Sequence, residues 1–175
     1  MLLSWRYDQR MTFFSVQNES AGMKMDKAYV MKEIGSEEVS GLKSCLAEQA
    51  KHHNRVSVNF KGCYPKQPFE ETLMRFASDV ETGRSSIAVM EADDRVVGFC
   101  KINYGDAVGV LEYLIVSENY RGKGYGAQLM GWALSRFEER GIHDIDLKVA
   151  DGNDAIFLYE TYGFKMNAHI LRLSR

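Results

Sequence analysis

Residues 118–137, ENYRGKGYGAQLMGWALSRF, place Gly122, Gly124 and Gly126 within five positions and run straight into Leu129, Met130, Ala133, Leu134 and Phe137 at helical spacing. Just upstream lies VLEYLIV, a nearly continuous apolar run of the kind found in strands covered on both faces. A strand, a glycine-rich loop and a helix in succession limit what the chain can build. A helix start carries unsatisfied N–H groups and the positive end of the dipole. A loop without Cβ atoms lets phosphate oxygens reach those donors. The stretch therefore predicts an anion site around Gly122–Gly126. Glycines there are also compatible with a tight turn or with close packing of helix on sheet.

Any such anion must be held locally, because the formal net charge is -2 and the pI about 6.1. No global positive field recruits nucleic acid or an anionic membrane. With 175 residues, 45% of them hydrophobic and 26% charged, the chain suits one domain with a sizeable core. Cys45, Cys63 and Cys100 are odd in number and far apart, with no C-x-x-C pair, so a reduced, cytoplasmic setting is expected. The start, MLLSWRYDQRMTFFSV, is interrupted by Arg6, Asp8 and Arg10 and does not read as a secretory signal. No run approaches the roughly 18 apolar residues of a membrane span.

Regular patterning begins near AYVMKEI, so residues 1–25 read as an N-terminal extension and 26–175 as a single domain. Leu3, Tyr7, Met11 and Phe14 would share a helix face able to dock on the domain or on a second subunit. The alternative is an adventitious leader, with Met23 or Met25 as the start. AYVMKEI reads as a strand, and Ser36 can cap a helix carrying Val39, Leu42 and Leu46. Pro68 suits the first turn of a second helix with Phe69, Leu73, Phe76 and Val80 as its stripe and Gly83 as its stop. SSIAVMEADDRVVGFCKINY reads as a hairpin turning at ADDR. After the glycine loop and its helix, which Gly141 ends, IDLKV is a strand. GNDAIFLYETYG is a short helix capped by Asn153 or Asp151 and stopped by Gly163, and FKMNAHILRLS closes as a strand. The predicted order is βααβββαβαβ, an α/β (α+β) fold with a mixed, mostly antiparallel sheet and helices on both faces.

Three ligand patterns compete for the loop. A nucleotide P-loop needs G-x-x-x-x-G-K-[ST], which does not occur. The dinucleotide pattern G-x-G-x-x-A is met by Gly122, Gly124 and Ala127, with Asp144 and Asp146 about 20 residues on. It falls too late in the chain for the second half of a doubly wound sheet. The third pattern, R/Q-x-x-G-x-G/A after a strand, is met by Arg121, Gly124 and Gly126. Together with NDAIFLYETYGF in the right order and spacing, it makes the chain resemble the GNAT superfamily of acetyl-CoA-dependent N-acetyltransferases from about AYVMKEI to the C-terminus. That family often writes its second motif N-x-x-A-x-x-x-Y-x-x-x-G-F. Ala155, Tyr159, Gly163 and Phe164 fit, whereas Gly152 stands at the asparagine position and Asn153 one residue late.

The resemblance implies a site. Acetyl-CoA would be the donor cosubstrate, with Leu114, Ile115 and Val116 offering backbone groups to its pantetheine arm. Arg121, Gly122, Lys123, Gly124, Tyr125, Gly126 and Ala127 would surround its pyrophosphate, and Asn153 and Tyr159 would complete the cofactor-binding set. The N–H of Val116 would meet the thioester oxygen. Tyr159 would protonate the departing thiolate, or be a packed core aromatic. Glu112, a carboxylate in an apolar strand, resembles the family's occasional base. It could instead bind the substrate ammonium, act through water or form a buried ion pair. His52, His53, Phe60 and Tyr64 are candidates for acceptor contact, and His143 reads as structural. Cys63 or Cys100 as a covalent nucleophile has no paired histidine, and no His/Cys/Asp/Glu spacing suggests a metal. The expected activity is direct transfer to a primary amine of a small molecule or protein in a ternary complex, without nucleic acid or membrane and with a possible homodimer. A non-catalytic CoA-binding sensor or partner module on the same fold is the alternative.

Overall fold

The computed structural model describes residues 29–173. The N-terminal extension, including the face of Leu3, Tyr7, Met11 and Phe14, lies outside the described residues. Among the described residues five strands form one sheet in chain order: β1 (Tyr29–Glu33), β2 (Ser85–Ala92), β3 (Arg95–Asn103), β4 (Val108–Val116) and β5 (Asp144–Leu147). The first three pairings are antiparallel, and β4 with β5 is parallel. The α-helices of the described residues are α1 (Lys43–Val56), α2 (Phe69–Glu81), α3 (Tyr125–Glu139) and α4 (Ala155–Thr161). This is the mixed, mostly antiparallel sheet with helices that the patterning predicts.

Local chemistry explains most boundaries. The β2–β3 hairpin turns through Asp93 and Asp94, both left-handed at φ 54° and 58°. Aspartate tolerates that region better than most side chains. Pro68 stands at the N-cap of α2, where its missing N–H costs nothing, and Gly83 follows the helix with φ 69°. Ser36 opens a 3₁₀ segment, Ser36–Leu42, rather than an α-helix. Glu38 reaches back to the Gly35 N–H, and the α-helix begins only at Lys43.

The sheet separates two apolar layers by strand alternation. Ala88, Met90, Cys100 and Ile102 meet Leu129, Met130, Ala133 and Phe137 of α3 on one face. Ile87, Val89, Phe99 and Ile115 meet Val39, Leu42, Leu46 and Phe76 on the other. Each Val, Leu, Ile, Met or Phe among them, fully buried, contributes about 1.5–3 kcal/mol. Helices thus cover both faces, leaving function to the strand ends and edges.

The expected closing strand does not form. Residues 164–173 carry no strand pairing, so the described order ends in α4. The phase of the segment explains this: Phe164, Met166, Ala168 and Ile170 alternate, and then Leu171 and Leu173 switch to the opposite parity. No single register can place them all on one buried face. Leu171 and Leu173 are 94% and 76% exposed. Among the described residues no helix is long and apolar enough to cross a membrane.

Candidate active site

Strands β4 and β5 part company. Their pairing ends at Leu111 opposite Leu147, yet β4 continues to Val116. The parting begins at a bulge: Lys101 of β3 pairs Tyr113 while Ile102 pairs Leu111, leaving Glu112 as the extra residue. Beyond it, the backbone directions follow from one hydrogen bond. Ser117 N–H donates to Val97 O at 2.8 Å, toward β3. Successive residues of a strand point their polar groups to opposite edges, so Val116, and two residues earlier Leu114, turn theirs toward the gap. The Val116 carbonyl there accepts from Arg121 Nε at 2.9 Å, which leaves its N–H directed at the opening. A cavity of about 560 Å³ occupies that opening, lined by Leu111, Glu112, Leu114, Ile115 and Val116 on one side and Leu147 to Ala150 on the other.

The glycine loop forms the foot of the same cavity. Gly122 and Gly124 are left-handed, φ 74° and 81°, a conformation any Cβ would strain. Gly124 is the N-cap of α3, and no side chain caps the helix or places an acid in its first turn. Among the described residues, no carbonyl accepts from the N–H groups of Gly122, Lys123, Gly124, Gly126 or Ala127. These donors face the solvent-open mouth at the positive end of α3, the arrangement that suits an external anionic acceptor. Arg121, Gly122, Gly124, Tyr125, Gly126 and Ala127 all line the cavity. Lys123 does not: its Nζ lies over the Tyr120 ring, 5.3 Å from the centroid. A cation–π contact on an exposed turn holds it away from the opening.

Tyr159 reaches the cavity from α4. Leu158 packs near Gly126 and seats α4 against the start of α3, while the Tyr159 ring meets Phe164 edge-on at 6.1 Å. The residue is 9% exposed, and burial pushes its phenol up to about 12. No group among the described residues hydrogen-bonds its hydroxyl. Asn153 Oδ1 accepts from Ala155 N–H at 3.1 Å, capping the first turn of α4. Asp151, the other expected cap, instead accepts from Asn59 N–H and Asn59 Nδ2 at 3.1 and 2.9 Å. Gly152 has φ 74°, and a Cβ there would lie 2.5 Å from Val56 O. Its departure from the family's asparagine therefore has a steric reason.

Glu112 forms the buried ion pair that was one of its four readings. Lys101 Nζ lies 2.6 Å from Oε2, Asn103 Nδ2 donates to the same oxygen at 3.0 Å, and Arg75 approaches Oε1 at 2.8 Å. Burial alone would raise its carboxyl, but Lys101, Asn103 and Arg75 together outweigh burial and hold it below the usual value. Lys101 is fully buried and also meets Asp79 at 3.2 Å and Ser85 Oγ at 3.1 Å. Sequence reasoning missed Lys101. A lysine inside the apolar run VVGFCKI was the available signal, since an unpaired buried charge is untenable.

Gln49, His52 and His53, from the C-terminal half of α1, close another wall. Phe60 and Tyr64 stand outside the lining, with Tyr64 edge-on to His53 at 5.0 Å. His143 is exposed and apart from the cavity. Cys63 is exposed, and Cys100 is buried with its thiol pushed up by burial.

An α/β domain with an open amide cradle at the foot of a slot between diverging strands belongs to the class that can thread an extended, phosphorylated ligand into its sheet. The acetyltransferase (GNAT) family profile matches residues 50–164, and the chain belongs to that family. The [ribosomal protein bS18]-alanine N-acetyltransferase of Haemophilus influenzae is 31% identical over 74 residues, 41% of this chain and 49% of that protein. The chain thus matches about half the length of this curated relative. A predicted acetyltransferase from Clostridium acetobutylicum, solved with acetyl-CoA, shares the fold at TM-score 0.68 and 18% identity over 83% of this chain and 96% of that one. The PaiA N-acetyltransferase of Thermoplasma acidophilum, solved with coenzyme A, does so at TM-score 0.65 and 17% identity over 78% and 88%.

Proposed function

We propose that this chain is an N-acetyltransferase that moves the acetyl group of acetyl-CoA to a primary amine by direct attack within a ternary complex. The observation that carries the reading is the joining, in one cavity, of the uncapped start of α3, the unpaired edge of β4 and the Tyr159 side chain. Family relatives solved with acetyl-CoA or coenzyme A support the choice of donor.

The residues present fit that donor. The N–H groups of Gly122, Gly124, Gly126 and Ala127 would take its diphosphate, with fixed dipoles that need no rearrangement on binding. Leu114 and Val116 would pair with the amides of its pantetheine arm as a strand edge does. Acetyl-CoA supplies the activated acyl carbon and a thiolate leaving group. The Val116 N–H stabilises the negative charge that grows on the thioester oxygen, an effect on rate more than on binding. Tyr159 stays protonated at neutral pH and gives its proton to the departing sulfur. Glu112 acts as an anchor: both its oxygens are engaged, and its carboxylate pins the bulge where β4 leaves β5.

The test is release of free thiol from acetyl-CoA across a panel of primary amines, run beside thermal unfolding with and without acetyl-CoA. Amine-dependent thiol release is expected. Stabilisation by acetyl-CoA with no turnover on any amine would instead make the chain a coenzyme A-binding sensor.

A further inference from the structure

We propose that His53 is the proton acceptor for the incoming amine, an assignment that rests on the acetyl-transfer reading above. An ammonium has no lone pair and must lose a proton before it can attack an acyl carbon. The acceptor of that proton has to reach the cavity and keep a lone pair of its own free.

Most of the cavity's titratable groups fail one of these conditions. Glu112 spends both oxygens on Lys101, Asn103 and Arg75. The Nδ1 of His52 accepts from Arg55 at 3.2 Å, and the Asn153 side chain also reaches that ring. Asp154 also lines the cavity, its carboxylate free among the described residues, but it stands exposed at the start of α4, open to bulk water rather than half-buried in the cavity wall. Tyr159, with its proton retained, is the donor of the opposite step.

His53 meets both conditions. It lies in the last turn of α1, half-buried, and lines the cavity. Its ring is held edge-on by Tyr64, and among the described residues neither ring nitrogen has a hydrogen-bond partner. The charged and titratable groups around it are His52 on its own helix and Tyr64 and Lys66 on the following loop; on the same cavity stand Glu112 of β4, Tyr120, Arg121 and Tyr125 around the glycine loop, Lys148 after β5, and Asp154 and Tyr159 at α4. Burial first, then His52 and Lys66, hold its imidazole below the ordinary 6.5, so it is neutral and able to accept at physiological pH. The C-terminal end of α1 stabilises the imidazolium once formed.

The protons balance. The ammonium gives one to His53, directly or through water, and His53 passes it to solvent. The amine nitrogen bonds to the acyl carbon, and the carbon–sulfur bond breaks. Tyr159 protonates the sulfur and recovers the proton that the new amide nitrogen sheds.

The experiment compares two nucleophiles in the thiol-release assay between about pH 5.5 and 9: the best alkylamine of the panel, and hydroxylamine, which is already neutral near pH 7. His53→Gln should lose on the order of 100-fold in kcat/KM with the alkylamine and lose the acidic limb that lies below 6.5 in the parent. With hydroxylamine it should change less than about threefold, because no proton acceptor is needed there. Glu112→Gln should retain the limb. Stabilisation by acetyl-CoA and circular dichroism report whether His53→Gln is intact, with His53→Asn as the second variant. Equal losses on both nucleophiles, or an acidic limb that survives in both His53 variants, would overturn the assignment. A parent protein that binds acetyl-CoA yet acetylates neither nucleophile would sink the transfer reading itself, and this assignment with it.

Discussion

A phenol is a useful acid at neutral pH only if it keeps its proton until a stronger base arrives, and burial gives Tyr159 that property. Pushed up to about 12 with no partner on its hydroxyl among the described residues, it has little to do in the ground state. Tyr159→Phe should therefore lower kcat by about 10²–10⁴-fold while leaving the KM for acetyl-CoA and the melting temperature nearly unchanged. Steady-state kinetics with thermal unfolding decides; an unaltered kcat would reduce Tyr159 to packing. The position of this residue was legible, because Ala155, Tyr159, Gly163 and Phe164 are local and keep their spacing. The surroundings of Glu112 were not. Arg75 comes from α2, Lys101 and Asn103 from β3, and only the folded sheet brings them to one carboxylate. A lone Glu in VLEYLIV announced that partners must exist without naming them.

Among elements, the decisive event is the bulge at Glu112, which lets β4 run on past the end of β5. The resulting slot is bordered by a second contact, between the segment after α1 and the segment after β5. Asn59 gives two hydrogen bonds to Asp151, and Gly152 lies almost against the Val56 carbonyl. Restoring the family's residue with Gly152→Asn should be harmful here, since it meets a left-handed φ of 74° and a Cβ position 2.5 Å from Val56 O. The expected cost is about 1–3 kcal/mol. For a chain of this size that lowers the melting temperature by about 2–4 °C per kcal/mol, readable by calorimetry. An unshifted transition would mean that the contact is easily released. Hairpins, helix starts and helix stops were legible because ADDR, Pro68, Gly141 and Gly163 act on their own neighbours. The last strand was misjudged because strand formation needs an edge to pair with and one parity of apolar residues, and Ile170–Leu171 breaks that parity.

Across the whole molecule, the α2 layer is pinned to the sheet by a cluster of charges. Lys101 is fully buried in the sheet and is held by Asp79 of α2 and Glu112 of β4, so its ammonium, beside the direct Arg75–Glu112 pair, ties the α2 layer to the strand that shapes the site. Removing it with Lys101→Met should cost about 3–5 kcal/mol at neutral pH, because Glu112 and Asp79 lose the buried cation they share and keep only the half-exposed Arg75 in common. The pH dependence has a definite sign. Glu112 is held below its ordinary 4.5 in the folded state, so it binds protons less readily there than in the unfolded chain. Its stabilising effect is complete above about 4.5 and disappears as pH falls through the lower folded value. In Lys101→Met the logic reverses: protonating Glu112 relieves a charge that has lost its buried partner, so the stability deficit against the parent should narrow as pH falls below about 4.5. Urea unfolding of both proteins from pH 7 down to about 3.5 measures that gap, and a deficit that stays constant with pH would show that the lysine stabilises by packing alone.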